Sequence, residues 1–236
     1  MTLNPGITSP NRLLARLPAS ERARFLKACA PVELIFGDTV GHAGRKIAHV
    51  YLPITGYISI VRPIDGDQIE VALAGSEGMF GWSLALDSGV SEMRALVQGP
   101  GDALRLTSSA FKQQMALSTA LRATIRGYTS VLMTQFAQTA GCNRFHVVEQ
   151  RLARWLLMTA DRAHSHTFRV TQEFLSSMLG VRRAGVTEAA GRLQARGYIR
   201  YRRGEINIRD RSSLEGAACS CYQINLATYA RVLGRA

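Results

Sequence analysis

Residues 171–190 read TQEFLSSMLGVRRAGVTEAA, and the fold of the C-terminal part follows from how this stretch turns. With Gly180 at a tight turn between two helices, Leu175, Leu179, Val181, Val186 and Ala189 fall where a crossed helix pair has to bury apolar side chains. Ser176 is small where the helices approach most closely. Thr171 supplies a hydroxyl to cap the first helix, with Gln172 and Glu173 in its first turn. Arg182 and Arg183 open the second helix, the end that helix-turn-helix proteins point at base edges in the major groove. The same geometry occurs in proteins that bind no DNA, so the motif is weighed with its surroundings.

Downstream, GRLQARGYIRYRRGEINIRDR (residues 191–211) continues the second helix and breaks at Gly197. It then alternates through residues 198–203 and turns at Gly204 into a further short strand, the pattern of a β-hairpin wing. Between residues 182 and 211 nine Arg stand against two Glu and one Asp, a net charge of +6. A merely solvated face is rarely so one-sided, and contact with phosphates explains it directly.

The whole chain repeats this asymmetry. Its 236 residues carry a formal charge of +12, yet residues 1–117 hold 11 cations against 10 acids, while residues 118–236 hold 18 against 7. All 18 are Arg, whose planar fork suits paired contacts with phosphates and guanine edges. A high-GC genome accounts for the scarcity of Lys but not for the clustering. The length favours two folded units, and a composition 47% hydrophobic and 19% charged excludes a disordered chain. No apolar run is long enough for a membrane span and the N-terminus lacks a signal-peptide pattern, so a cytoplasmic protein without a membrane partner is expected.

Further towards the N-terminus, a short helical opening (residues 12–28) precedes strands separated by turns (residues 32–106). In GYISIVRPIDGDQIEVALAG (residues 56–75), β-branched residues flank Asp65-Gly66, a dipeptide suited to a tight hairpin. Frequent glycines fit short antiparallel strands rolled into a barrel or sandwich. From Ser108 the texture becomes helical. Leu121, Ile125, Tyr128, Leu132 and Phe136 recur at spacings of four, three, four and four, a single apolar stripe. Such a stripe packs either on its own β domain or against the same helix of a second subunit, and it is assigned here as the dimer interface of a homodimer. Asn143 is expected to cap a further helix, VVEQRLARWLLMTADRA.

The helix-turn-helix and wing, with the front-half segments HVYLPITGYISIVRP (residues 49–63) and GSEGMFGWSLAL (residues 75–86), resemble the Crp/Fnr superfamily of bacterial transcription regulators. In the back half the resemblance rests on residues 179–183, the Gly185-Val186-Thr187 step and the wing YIRYRRGEINIRDR. It implies an α+β chain: an N-terminal antiparallel, cyclic-nucleotide-binding-like β-roll (1–107), a long dimerisation helix (108–142) and a C-terminal winged helix-turn-helix DNA-binding domain (143–236). The implied DNA-contacting set is Thr171, Gln172, Arg182, Arg183, Gly185, Thr187, Glu188, Arg192, Arg202 and Arg203. Arg183 stands where the family commonly carries a base-reading Arg. Ala184 replaces the Glu that follows it in the family, and Glu188 holds a position often occupied by Arg, so a different operator is expected.

The ligand pocket implied by the resemblance would involve Gly81, Trp82, Ser83, Met93 and Arg94. Cyclic-nucleotide-binding members follow the Phe-Gly step with a Gly-Glu pair for the ribose and later carry Arg-Ser or Arg-Thr for the phosphate. Here Phe80-Gly81 leads into Trp82, and Met93 falls where that Arg should be, so the polar groups that replace water around a cyclic phosphate are missing. Binding of cyclic AMP is not expected, and the effector is unknown or absent.

Cys29, Cys142, Cys219 and Cys221 lie too far apart for a zinc finger and are read as reduced packing residues; a thiol or iron–sulfur sensor finds no support in their spacing. His164-Ser165-His166 reads as an exposed loop. No catalytic set, metal site, cofactor or Walker loop is expected. The favoured class is a homodimeric, sequence-specific transcription regulator on double-stranded DNA, with RNA polymerase as a further partner. The alternative is a nucleotide- or small-ligand-binding signalling module whose helix-turn-helix mediates protein contact. A general nucleic-acid packaging protein is a third class, and an enzyme is the least favoured.

Overall fold

The computed structural model describes residues 11–234. Asn11 caps α1 (Arg12–Ala15), its side chain accepting from Leu13 N at 3.0 Å and donating to the carbonyls of Pro53 and Gly78. α2 (Ala19–Lys27) starts after Pro18, so the opening expected as one helix is two. Pro18 lacks the N–H a continuous helix needs and disfavours helical geometry at the residue before it. Leu13, Leu14, Leu17 and Phe25 are buried in the first core.

The β-roll contains β1 (Ala30–Leu34), β2 (Thr39–Gly41), β3 (Arg45–Lys46), β4 (His49–Pro53), β5 (Tyr57–Ile64), β6 (Asp67–Ala74), β7 (Val90–Ser91), β8 (Arg94–Gly99) and β9 (Gly101–Thr107). A short 3-10 helix (Trp82–Leu86) interrupts the run between β6 and β7. The strands pair antiparallel in the orders β1-β9-β4, β2-β8-β5-β6 and β3-β7. β5 and β6 meet at Asp65-Gly66, with φ of +50° and +88°, the backbone of a type I′ hairpin turn. Residues 57–61 are all buried instead of alternating. Ile58 and Ile60 face the interior of the roll, whereas Tyr57 and Ser59 face the C-terminal domain, so this strand is covered on both sides.

α3 (Ser108–Leu117) is followed by α4 (Thr119–Phe145), capped by the Ser118 hydroxyl, which accepts from Leu121 N at 2.8 Å. The stripe expected to meet a second subunit meets the roll instead. Leu121, Ile125, Tyr128 and Leu132 are at most 1% exposed and share a core with Val50, Leu52, Ile60, Met79 and Phe111. The Tyr128 hydroxyl donates to the Met79 carbonyl at 3.1 Å. Phe136 packs on Trp82 with ring centroids 6.1 Å apart. An apolar stripe this wide is the face of a helix lying on a domain, and each such side chain contributes about 1.5–3 kcal/mol there. Asn143 lies inside α4 and caps nothing; the helix ends at His146, whose backbone is extended, and α5 (Val148–Ala163) begins after Val147.

The C-terminal domain adds β10 (Thr167–Arg169), α6 (Gln172–Leu179), α7 (Arg183–Ala195), β11 (Ile199–Arg202), β12 (Glu205–Ile208), α8 (Arg211–Ala217) and α9 (Cys221–Leu233). Its core gathers Leu152, Leu156, Leu175, Leu179, Val186, Ala189, Leu193, Ile199, Ile206, Leu214 and Tyr222. α9 folds back so that Tyr229 and Leu233 enter the first core, and Arg12 donates to the Gly234 carbonyl at 2.6 Å. Among the described residues, no helix is long and apolar enough to cross a membrane.

Candidate nucleic-acid interface

The motif folds as its residues require. The Thr171 hydroxyl accepts from Phe174 N at 3.1 Å and starts α6. Gly180 closes it in left-handed geometry, φ +61° and ψ +46°. A Cβ on Gly180 would come 2.9 Å from Ile69 Cδ1, so glycine serves both the turn and the close approach of the β5–β6 hairpin. Val186, Ala189 and Ala190 bury one face of α7 against Leu175 and Leu179, leaving Arg183, Ala184, Thr187 and Glu188 exposed on the other.

Beyond α7, β11 and β12 form the wing around a tight turn at Arg203 and Gly204, with φ of +52° and +75°. β10 pairs with β12 as a third strand, setting Thr167 opposite Asn207 and Arg169 opposite Glu205. Ile199, Ile206 and Ile208 point into the core, so the strand alternation turns Arg200, Arg202 and Asn207 outward. With Arg169, Arg203 and Arg209 they line a shallow basic groove in which Glu205 is the lone acid among the described residues.

A second groove lies between the helix pair and the wing turn, lined by Thr171, Gln172, Arg183, Tyr201, Arg203 and Gly204. Tyr201 donates to the Val170 carbonyl at 2.8 Å; partial burial pushes its phenol up while the charge of Arg183 pulls it down. The Thr187 hydroxyl lies 2.9 Å from Gln172 Oε1 and 3.1 Å from the Arg183 carbonyl, tying α6 to the first turn of α7. Gly185 is half-buried in that turn.

Three of the expected residues sit differently. Arg192 is held at 2.7 Å by both Glu149 of α5 and Glu188, one turn back on α7, so its guanidinium braces the two helices and neutralises Glu188. Arg182 is exposed but lines the cleft towards the β5–β6 hairpin rather than the groove around Arg183. Conversely, Arg169, Arg200 and Arg209 join the basic face, although the sequence reading does not single them out. Arg200 was legible from the alternation of the wing; Arg169 was not, because its strand meets the wing only through a long-range pairing.

The expected pocket residues of the roll make packing contacts or local hydrogen bonds. Trp82 and Met93 lie half-buried against the first core. Gly81 has φ +90°, and a Cβ there would stand 3.0 Å from Val50. The carbonyl of Ser83 accepts from Ser88 N at 3.2 Å within the turn. Arg94 donates to Thr39 Oγ1 at 3.1 Å and lines the same cleft as Arg182.

Residues 150–217 match the family model of the Crp-like helix-turn-helix domain. No curated protein matches the sequence. Among solved structures, the chain is similar to FixK2 from Bradyrhizobium japonicum, with a TM-score of 0.68 and 14% identity over 81% of this chain and 98% of that one. It is similar to the c-di-GMP responsive global regulator CLP of Xanthomonas campestris, with a TM-score of 0.66 and 19% identity over 81% and 99%. A CRP-family transcriptional regulator from Thermus thermophilus superposes with a TM-score of 0.65 at 17% identity over 79% and 96%. Residues 150–217 thus match a Crp-like helix-turn-helix domain, in a chain whose fold is similar to that of these solved proteins.

Proposed function

We propose that this protein is a sequence-specific regulator of transcription that binds double-stranded DNA as a homodimer. The observation that carries this reading is the groove uniting Arg183, at the exposed start of α7, with Thr171, Gln172 and Arg203 of the wing turn. A groove of this make-up offers a guanidinium to base edges while the wing cations lie along the phosphates. The assigned DNA contacts are Thr171, Gln172, Arg183, Gly185 and Thr187 around α7, and Arg202 and Arg203 with Arg169, Arg200 and Arg209 on the wing. Arg182 flanks the groove, and Arg192 and Glu188 act by positioning α7.

For the homodimer, support comes from the other side of α4. Ala123, Arg126, Ser130, Met133, Ala137, Ala140 and Arg144 are exposed at alternating spacings of three and four, the seam of a two-stranded helical contact, and Met133 is 63% exposed. The small side chains of Ala123, Ala137 and Ala140 would let a second helix approach closely. The division into a β-roll, a dimerising helix and a DNA-binding domain is part of the same proposal. Trp82 and Met93 pack against the first core at positions where the resemblance would call for polar groups around a cyclic phosphate, so this regulator is read as one that does not respond to cyclic AMP. The test is selection of DNA fragments by the purified protein, followed by fluorescence anisotropy on the selected and a scrambled duplex. Equal affinity for both overturns the reading.

A further inference from the structure

Four side chains that are distant in sequence converge where α4 meets the C-terminal segment. Cys142 lies in the last turn of α4, and His146 caps the end of that helix with its backbone N–H donating to the Cys142 carbonyl. Cys219 precedes α9 and Cys221 opens it. The ligand-capable atoms of all four lie within 4.8 Å of one another. Cys142 Sγ is 3.5 Å from Cys219 Sγ, and Cys221 Sγ is 3.4 Å from His146 Nδ1. Tetrahedral bonds of about 2.3 Å to sulfur and about 2.0 Å to nitrogen separate neighbouring ligand atoms by about 3.5–3.8 Å, the spacing of a mononuclear site. An iron–sulfur cluster spreads its cysteines over several metal atoms and does not fit so compact a set.

We propose that Cys142, His146, Cys219 and Cys221 form a tetrahedral zinc-class metal site that clamps the end of α4 to the start of α9.

Three features of the surroundings support a ligand role over plain packing. The three cysteines make a buried cluster of their own, with no aliphatic or aromatic side chain among its buried members, whereas a packing cysteine normally sits among apolar neighbours. Gln138, one turn before Cys142 on α4, donates from Nε2 to Cys221 Sγ at 2.9 Å, the kind of outer hydrogen bond that orients a metal thiolate. The charge also balances. Three thiolates and a neutral imidazole leave a net single negative charge around a divalent ion. The buried guanidiniums of Arg151 and Arg154 on α5 act electrostatically on Cys142, and that of Arg151 also acts on Cys219. Arg154 is 7% exposed, its Nε has no hydrogen-bond partner among the described residues, and its Nη1 meets only the Met158 sulfur, at 3.8 Å. A buried cation is stabilised by negative charge nearby, and the thiolate cluster can supply it alongside the Glu70 carboxyl, on which Arg154 also acts.

On binding, three thiol protons leave as three metal–sulfur bonds and one metal–nitrogen bond form; no oxidant or reductant takes part. The connection between α4 and α5 is His146 and Val147 alone, so an ion held by His146 also restrains that joint.

The test is metal analysis of the full-length protein purified without chelator, and titration of the reduced, metal-stripped protein with Co²⁺. One zinc per chain is expected, and one equivalent of Co²⁺ should produce thiolate-to-cobalt charge transfer with the visible bands of tetrahedral cobalt. Cys219→Ser and His146→Gln should each weaken Co²⁺ binding at least about tenfold. His146 is only half-buried, so the second variant should keep its far-ultraviolet circular dichroism. The proposal is overturned if the reduced wild-type chain gives no such spectrum, if iron with labile sulfide is found instead, or if His146→Gln binds Co²⁺ with an unchanged spectrum and affinity. None of these readouts involves DNA, so failure here leaves the proposed function standing, and the reverse.

Discussion

The indole Nε1 of Trp155 on α5 donates to the Glu70 carboxylate on β6 at 2.9 Å, across the buried seam between the roll and the C-terminal domain. Ser59 is paired with the same carboxylate, and Gln98 approaches it at 3.4 Å. Burial pushes the Glu70 carboxyl from its ordinary 4.5 up to about 7, against the opposing pull of Ser59, Trp155 and the charges of Arg154 and Arg162. A carboxyl raised in the folded state gives its full contribution below the unfolded value and loses it as pH rises towards the folded one.

Stability should therefore decline between pH 4.5 and about 7 from this group. Glu70→Gln keeps an acceptor for Trp155 and removes the ionisation. Thermal melts across that range should show a flatter profile for the variant and a higher Tm than wild type above neutrality. Parallel profiles would show that Glu70 does not titrate in the seam.

Arg183 and Arg203 face one groove but should fail differently. A bidentate arginine on guanine contributes about 1–3 kcal/mol of discrimination, whereas a phosphate contact adds about one unit to the salt slope without preference. Arg183→Ala should lower affinity for the selected site far more than for a scrambled duplex. Arg203→Ala should weaken both alike and reduce the slope. Equal loss on both duplexes for Arg183→Ala would make it another phosphate contact.

The two faces of α4 separate folding from assembly. Leu132 is fully buried, and its truncation to Ala should cost about 2–5 kcal/mol, read by denaturant unfolding. Met133 is 63% exposed, and Met133→Glu should leave the monomer fold intact while weakening the dimer in sedimentation. A stable monomer of the unmodified protein at micromolar concentration would exclude the dimer.

Gly180 combines a left-handed backbone with close contact to Ile69. Gly180→Ala should destabilise the chain by about 1–3 kcal/mol through strain at the turn. Adding Ile69→Ala should recover the steric part alone. Full recovery by the double variant in urea melts would show that backbone geometry contributes nothing.

Calorimetric titration with cyclic AMP should give no saturable heat up to millimolar concentration, because apolar Trp82 and Met93, packed against the first core, offer no partners for a ribose or cyclic phosphate. Micromolar binding would refute the reading of the roll.

What could be read from the sequence was local. The turn at Gly180, the cap at Thr171, the hairpin at Asp65-Gly66 and the wing turn at Gly204 each rest on backbone angles and caps set by a few adjacent residues, and the amphipathic α4 rests on a repeat contained within one helix. The outward face of Arg202 on the wing was visible for the same reason, since strand alternation is a local rule.

What the sequence alone determined, then, is the strongly patterned elements, the basic C-terminal region and the position of the helix-turn-helix, because periodicity, capping and turn chemistry act over fewer than about ten residues. Tertiary structure decided which partner each face meets. The period of Leu121, Ile125, Tyr128 and Leu132 specifies an apolar face but not whether a β-roll or a second subunit covers it. Arg192 became a brace only when α5 brought Glu149 beside it. Cys142 and Cys219, 77 residues apart, became neighbours only when α9 folded back along α4. Contacts of that kind depend on chain closure over long loops, and no spacing along the sequence encodes them.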